Sequence, residues 1–256
     1  MKKTLIALAV AASAAVSGSA MAWTQNGAGG SVDLGGTLTP VDVITPWEIK
    51  TGAGVGNLNA SIKKQQNSVE VASSSVIEIL GIRTKDKAAF AGEVGISPQI
   101  SYGGAIVPSA FSNGETDLTL EVRNSSDSRI GSLTTSLFAQ GYASEKQDGV
   151  AKKYFVFSAQ SGDAFYGGLG ESASAISTTD LASSYMPDVE ANWVNQSGTL
   201  VEPEYANFNV PSKTYNGYYF SVIKPGQKMR ITLDTPATGD DQIEWKASLP
   251  VTVSYQ

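Results

Sequence analysis

The side chains best suited to chemistry form an acidic cluster near the C-terminal end: Asp234, Asp240, Asp241 and Glu244. Paired carboxylates can hydrolyse glycosidic bonds, and hard cations such as Ca²⁺ prefer oxygen ligands. The cluster lacks the residue pattern of a calcium-binding loop, however, and residues 239–241 have the composition of a turn between two strands. We therefore interpret the cluster as a loop, and we predict neither a metal site nor a cofactor.

Other catalytic classes are excluded by residue types that the sequence does not contain. Its 256 residues include no cysteine and no histidine, which excludes thiolate zinc sites, cysteine nucleophiles and imidazole bases. Neither the G-x-S-x-G motif nor a nucleotide-binding glycine motif is present. The sequence therefore predicts a protein that is not an enzyme and whose fold depends on core burial and strand pairing without disulfide bonds.

The N-terminal end has the properties of an export signal. Two lysines precede an apolar run, residues 5–16, which is followed by small residues up to Ala22. This order is typical of a signal peptide and its cleavage site. We predict that residues 1–22 are removed, that the mature chain begins at Trp23, and that it is exported through the periplasm.

The charge of the chain argues against a nucleic-acid partner. The formal net charge is −6 at pH 7, and Lys and Arg never form a run longer than two residues. The negative charge of such a chain would repel the negatively charged phosphate backbone of a nucleic acid. No stretch after the signal is apolar over the length of a membrane span, so we expect the mature protein to be soluble or held by other proteins.

Most of the sequence has the alternation that is typical of β-strands. Short runs in which apolar and polar residues alternate are separated by turns rich in Gly, Asn, Asp and Pro. The predicted strands are residues 68–71, 76–83, 99–102, 117–123, 132–142, 153–159, 218–223, 229–233 and 242–255. So many short strands predict an all-β protein and, more specifically, a β-sandwich.

One segment, residues 178–195, has a helical pattern instead. Its apolar residues are spaced by four: Leu181, Tyr185, Val189 and Trp193. Because Pro187 would interrupt a continuous helix, we predict two short helical pieces that meet there.

The clearest alternation lies at the C-terminal end. Apolar residues occupy every second position: Ile243, Trp245, Ala247, Leu249, Val251, Val253 and Tyr255. The pattern predicts a strand with one buried face, which could be the last core strand of any sandwich. That interpretation does not explain why the alternation continues to the penultimate residue, since chain ends ordinarily fray.

A second alternating segment lies near the predicted mature N-terminus. Val32, Leu34, Gly36 and Leu38 share one face, and residues 27–30 before them are small and flexible. Three apolar anchors and one glycine suit a strand that enters a groove with three deep pockets and one shallow pocket. An ordinary edge strand of the same molecule would have the same pattern, so both interpretations stay open at this point.

Motifs spread along the whole chain resemble those of a known family. The signal of residues 1–22 is followed in order by GSVDLGG (30–36), ILGIRTK (79–85), PQI (98–100), FYGGL (165–169) and VTVSY (251–255). Together they resemble the F-four (K-eighty-eight) fimbrial adhesin family of chaperone-usher fimbriae.

The resemblance implies an incomplete immunoglobulin-like β-sandwich that lacks its last strand, with a small helical insertion. In this family a periplasmic chaperone fills the resulting groove, and an outer-membrane usher replaces it with the N-terminal strand of the next subunit, which gives a head-to-tail polymer outside the cell. The implied donor anchors are Val32, Leu34, Gly36 and Leu38. The implied groove edge, gripped by the chaperone, is formed by Leu249, Val251, Val253 and Tyr255.

The implied domains are a signal (1–22), a donor-strand extension (23–40) and a sandwich domain (41–256) with an insertion at about 161–205. Major subunits of the family also bind host glycans through that insertion. The candidate sugar contacts here are Tyr185, Trp193 and Tyr205, whose rings could stack on a sugar. Alternatively, the helical residues pack inward on the sandwich. There are two other hypotheses for the function of the chain. It could be a minor subunit without glycan binding, or a secreted carbohydrate-binding sandwich unrelated to fimbriae.

Overall fold

The structure is a computed structural model that describes residues 34–39 and 44–256. Residues 43–256 form one compact unit, and residues 1–42 belong to another. The described residues 34–39 contain neither helix nor strand. The predicted export signal (1–22) and the predicted anchor Val32 lie outside the described residues.

The described part of the larger unit is built almost entirely of β-strands. They are β1 (Trp47–Thr51), β2 (Ser68–Ala72), β3 (Ile77–Thr84), β4 (Phe90–Ala91), β5 (Pro98–Ser101), β6 (Glu115–Arg123), β7 (Arg129–Gln147), β8 (Val150–Phe155), β9 (Thr199–Leu200), β10 (Thr214–Ile223), β11 (Lys228–Leu233), β12 (Lys246–Ala247) and β13 (Thr252–Tyr255). The helical elements are α1 (Ala182–Tyr185) and the 3₁₀ helices Pro108–Ala110 and Pro187–Glu190. The predicted all-β class with a small helical insertion is confirmed.

Strand β7 organises the larger sheet. Its first half pairs with β6 on one edge and with β11 on the other, and its second half pairs with β8 and β10. The central strand order is β1-β3-β10-β7-β11-β2, and a second sheet pairs β13 with β5. Among the described strands every pairing is antiparallel except the short one between β8 and β9.

The core forms where the inward faces of these strands meet. Leu80, Ile82, Leu118, Leu137 and Tyr219 are fully buried, and they belong to one cluster that also contains residues of β5. Their alternation along the strands puts one side chain in two on the same face. Burial of this apolar area is the main favourable contribution to the stability of a chain without disulfide bonds.

The helical insertion packs on the other face of the sheet. The helix α1 ends before Met186, and the 3₁₀ helix begins at Pro187, because a proline inside a helix removes one backbone hydrogen bond. Leu181, Tyr185, Val189 and Trp193 belong to a second cluster with buried residues of β7 and β10. No helix in the described part of the chain is long and apolar enough to cross a membrane.

The structure corrects one strand and adds three. The predicted strand 242–255 is broken into β12 and β13, and Pro250 lies in the break, where it has no amide hydrogen to donate to a neighbouring strand. The short strands β4 and β9 and the strand β1 were not predicted from the sequence. Each of the other predicted strands overlaps a strand of the structure.

Candidate functional site

One concave feature of the larger unit is a broad groove with an aliphatic floor and charged residues elsewhere in its lining. It encloses about 1540 Å³. Strands β2, β3, β6, β7, β10 and β11 contribute its apolar lining: Val69, Val71, Ile77, Ile79, Leu118, Leu120, Leu133, Ile223, Met229, Ile231 and Leu233. A groove of this size lined by aliphatic side chains is suited to bind a strand of a protein.

The floor of the groove is the core of the fold itself. Leu118, Met229 and Ile231 are 0%, 2% and 3% exposed, and all three belong to the main core cluster. Val69 and Leu120 are only half-buried and pack against the same cluster. The cover over this part of the core is therefore incomplete at only a few positions.

The C-terminal segment forms one side of the groove. Exposure alternates along it, with Trp245, Ala247, Leu249, Val251 and further odd-numbered residues half-buried and the residues between them exposed. The four named residues line the groove.

The four residues predicted to form a groove edge lie in two different places. Leu249 and Val251 line the groove, whereas Val253 and Tyr255 are half-buried in β13 and pack against the core without lining it. Within residues 44–256, β12 pairs only with β6 and β13 only with β5. One edge of the C-terminal segment thus keeps unpaired backbone groups that can accept another strand.

The described part of the predicted donor segment is exposed. Leu34 is 93% exposed and Leu38 is 100% exposed. A side chain added at Gly36 would meet no other atom within 4 Å. Burial of these two side chains in another molecule would remove apolar surface from water, which is favourable.

The three candidate sugar contacts lie in different surroundings. Tyr185 packs edge-on against Phe138 at 5.9 Å between ring centroids, and the Trp193 ring lies 5.0 Å from that of Tyr142. Tyr205 is 58% exposed. None of the aromatic contacts found among the described residues joins two of the three candidate rings.

The surroundings of Trp193 contain two carboxylates, Asp180 and Glu190, of which the sequence reasoning did not single out Glu190. The Tyr218 hydroxyl lies 3.4 Å from a carboxylate oxygen of Asp180 and 3.4 Å from one of Glu190. Burial and the nearby charge of Asp180 raise the pKa of the Glu190 carboxyl. Glu190 could not be distinguished in the sequence, because a lone glutamate in a helical segment is usually solvated.

The acidic cluster considered first lies in the loop before β12. Asp240 forms an ion pair with Lys64, and a carboxylate oxygen of Asp234 lies 3.6 Å from the Arg129 guanidinium. Among residues 34–39 and 44–256, no group of three or more acidic side chains could hold a metal ion. Two of the four carboxylates, those of Asp234 and Asp240, thus face cations of other segments, and exposed ion pairs of this kind contribute little to stability.

One wall of the groove comes from a segment that the sequence reasoning missed. Residues 53–64, called the strap from here on, have no regular structure apart from a turn at their end, and most of them line the groove. Leu58 and Ile62 are half-buried and pack against the core. The signal available in the sequence was a pair of aliphatic residues, four apart, in a stretch otherwise rich in Gly, Ala and Asn.

Comparison with known proteins identifies relatives over the whole length. The profile of a family described as "Fimbrial, major and minor subunit" matches residues 1–256. The chain is similar to K88 fimbrial protein AD (31% identical) and K88 fimbrial protein AC (32% identical) of Escherichia coli. It is also similar to the F41 fimbrial protein of Escherichia coli (30% identical). Each alignment covers 100% of this chain and 100% of the relative.

Proposed function

The chain belongs to the K88 family of major and minor fimbrial subunits, and we propose that its apolar groove accepts an extended strand from a neighbouring copy. The resemblance inferred from the motifs is confirmed, and the relatives are fimbrial proteins rather than enzymes. Membership of this family makes the chain a fimbrial subunit that associates with other subunits in a fimbria on the cell surface.

The observation that carries the proposal is the groove itself. Its floor consists of core side chains, and one edge of the C-terminal segment beside it is unpaired within the described residues. An added strand would gain main-chain hydrogen bonds at that edge and would bury alternate side chains on the floor. A soluble monomer that kept such a surface uncovered would be prone to aggregation.

The proposed donor is the N-terminal segment of the next subunit, with Val32, Leu34, Gly36 and Leu38 as anchors. Its support is the alternation of these residues and the exposure of Leu34 and Leu38 in the described part. Because donor and acceptor are different surfaces, each contact leaves a free donor and a free groove, and the polymer grows head to tail.

Export and assembly form the next part of the proposal. After removal of residues 1–22, a periplasmic chaperone would fill the groove with its own strand and hold the C-terminal segment. An outer-membrane usher would then exchange that strand for the donor of the incoming subunit. The support is the apolar lining of the groove, in which Val69 and Leu120 are only half-buried.

The test compares substitutions on the two faces of the donor. The double variant Val32→Asp/Leu34→Asp puts two carboxylates where apolar pockets must be filled, and burial of an unpaired charge is strongly unfavourable. We expect this variant to be exported but absent from purified fimbriae. The matched control Asp33→Asn/Thr37→Asp changes the opposite face and should polymerise. Normal polymerisation of Val32→Asp/Leu34→Asp would show that the donor is another segment.

Glycan binding is a second proposal, carried by the exposure of Tyr205. The residue is 58% exposed, and its ring lies 6.2 Å from that of Phe157 in an edge-on arrangement, which leaves ring surface to stack on a sugar. We expect Tyr205→Ala to abolish binding on a glycan array while fimbriae still form. Unchanged binding by this variant would exclude Tyr205 as the sugar contact, and absence of binding by the unaltered fimbriae would favour a minor subunit.

The alignments with the relatives span 283 to 305 positions, whereas this chain has 256 residues. The relatives therefore contain residues that have no counterpart in this chain.

A further inference from the structure

Apart from the ion pair of Lys64 with Asp240 at its end, the strap is attached to the groove by very few side chains. Leu58 and Ile62 are half-buried and pack against the core, whereas the other residues between Ala53 and Lys64 are exposed. Val55, for example, is 40% exposed. Partial burial of two aliphatic side chains is therefore the main apolar contribution that holds the strap on the groove.

The backbone of the strap is fixed at its two ends and not between them. At the first end, the Gly52 amide donates to the Ile79 carbonyl at 3.0 Å. At the second end, Gln65 donates to the Ala237 carbonyl at 2.6 Å, and Ala237 donates back to Gln66 at 2.9 Å. Among the described residues, no backbone hydrogen bond joins residues 53–62 to another segment.

The glycines at the start of the strap and within it have different surroundings. A Cβ added at Gly52 would overlap the Glu78 carbonyl, so only glycine permits this close approach. Gly54 and Gly56, in contrast, have no other atom within 4 Å of an added Cβ. Two glycines in open space give the middle of the strap conformational freedom at little cost in contacts.

We propose that the strap covers the floor of an unfilled groove and moves aside when a donor strand enters, an inference that rests on the function proposed above. Leu58 and Ile62 of the strap cover apolar side chains of the core, but in the described part of the chain the backbone of the strap forms no hydrogen bonds with the strands of the groove. An incoming strand makes both kinds of contact, so it outcompetes the strap at equilibrium. The strap then sets the rate of strand entry, because its two side chains must leave first.

The first test measures strand entry into a full-length subunit that cannot polymerise. The acceptor is the Val32→Asp/Leu34→Asp variant, and the probe is a dye-labelled synthetic peptide of residues 23–40. We expect the additional change Leu58→Ser/Ile62→Ser to speed peptide association about tenfold, since the apolar contacts of the strap are lost. The control Val55→Ser should stay within about twofold, because that exposed side chain holds nothing.

The outcomes separate the two proposals. Equal association rates for the strap variant and its parent would overturn the strap proposal and leave strand donation supported. Failure of the peptide to bind any of these acceptors would instead contradict strand donation, and the role of the strap with it.

The second test uses assembled fimbriae and needs no weakened core. The chain has no cysteine, so Leu58→Cys and Asn59→Cys each introduce a single thiol. In the non-polymerising subunit we expect the thiol of Leu58→Cys to react with a maleimide about tenfold more slowly than that of Asn59→Cys, because Leu58 is half-buried and Asn59 is exposed. In fimbriae the two rates should become equal. A thiol of Leu58→Cys that stays slow in fimbriae would show that the strap does not move.

Discussion

Substitution of Leu34 by alanine separates the stability of the fibre from the stability of the subunit. The Leu34 side chain is 93% exposed in the described structure, so it contributes little to the fold of its own chain. If it fills a pocket in the groove of the next subunit, nearly all of its apolar surface becomes buried only in the fibre. The two states should therefore respond very differently to Leu34→Ala.

The magnitude follows from that difference in burial. Full burial of a leucine side chain stabilises by about 1.5–3 kcal/mol, and loss of a packed leucine also leaves a cavity. We expect Leu34→Ala to weaken donor binding by about 2–3 kcal/mol, which is about 30- to 150-fold in the dissociation constant. The unfolding free energy of the unpolymerised subunit should change by less than about 0.5 kcal/mol, as for exposed positions in general.

The assay compares three synthetic donors of residues 23–40: unaltered, Leu34→Ala and Thr37→Ala. Each is titrated into the full-length Val32→Asp/Leu34→Asp subunit, and guanidinium unfolding of the full-length Leu34→Ala chain is measured beside it. Thr37 is also exposed but lies on the opposite face of the alternation, so its alanine variant should bind within about twofold of the unaltered donor. Equal losses for both alanine variants would refute the assignment of inward and outward faces.

Three further predictions concern the larger unit. Gly131→Ala should destabilise the subunit by about 2 kcal/mol or more in guanidinium unfolding, because the new Cβ would overlap the Thr232 carbonyl on the paired strand. Burial and the charge of Asp180 raise the pKa of Glu190, so ionisation of its carboxylate costs stability as pH rises through the raised value. Glu190→Gln should therefore stabilise the subunit at pH 7, and the gain should shrink as pH falls below the raised value and disappear below the ordinary pKa of a glutamate, as thermal melts across pH will show. Trp193→Ala should lower the thermal midpoint, because the indole packs on two buried tyrosine rings; an unchanged midpoint would contradict its structural role.

The sequence predicted the strands best where one face is buried and the other is exposed. The run 117–123 lies within β6, and 229–233 lies within β11, because a period of two reports directly which side chains face the core. The short strands β4 and β9 escaped prediction, since two residues carry no measurable period. At Pro250 the C-terminal strand is broken, yet burial of the side chains still alternates on both sides of the break. Alternation of apolar residues therefore indicates which side chains face the core, but not which backbone groups are paired.

The C-terminal alternation does not reveal which of its residues lie at the groove. Leu249 and Val251 line the groove. Val253 and Tyr255 share their alternation but pack in β13 beside β5. Nothing local distinguishes the two pairs, because the difference lies in which distant strand is the neighbour.

The sequence by itself determined the all-β class, the helical insertion at Pro187 and the family, because these depend on local periodicity, proline geometry and motifs in order. Only the tertiary structure decided where core side chains are left partly covered. The groove brings together β2, β3, β6 and β11 with the C-terminal segment, and Leu58 and Ile62 of the strap lie against it. Such a surface is a property of contacts between residues far apart in the chain, and no short segment of sequence records it.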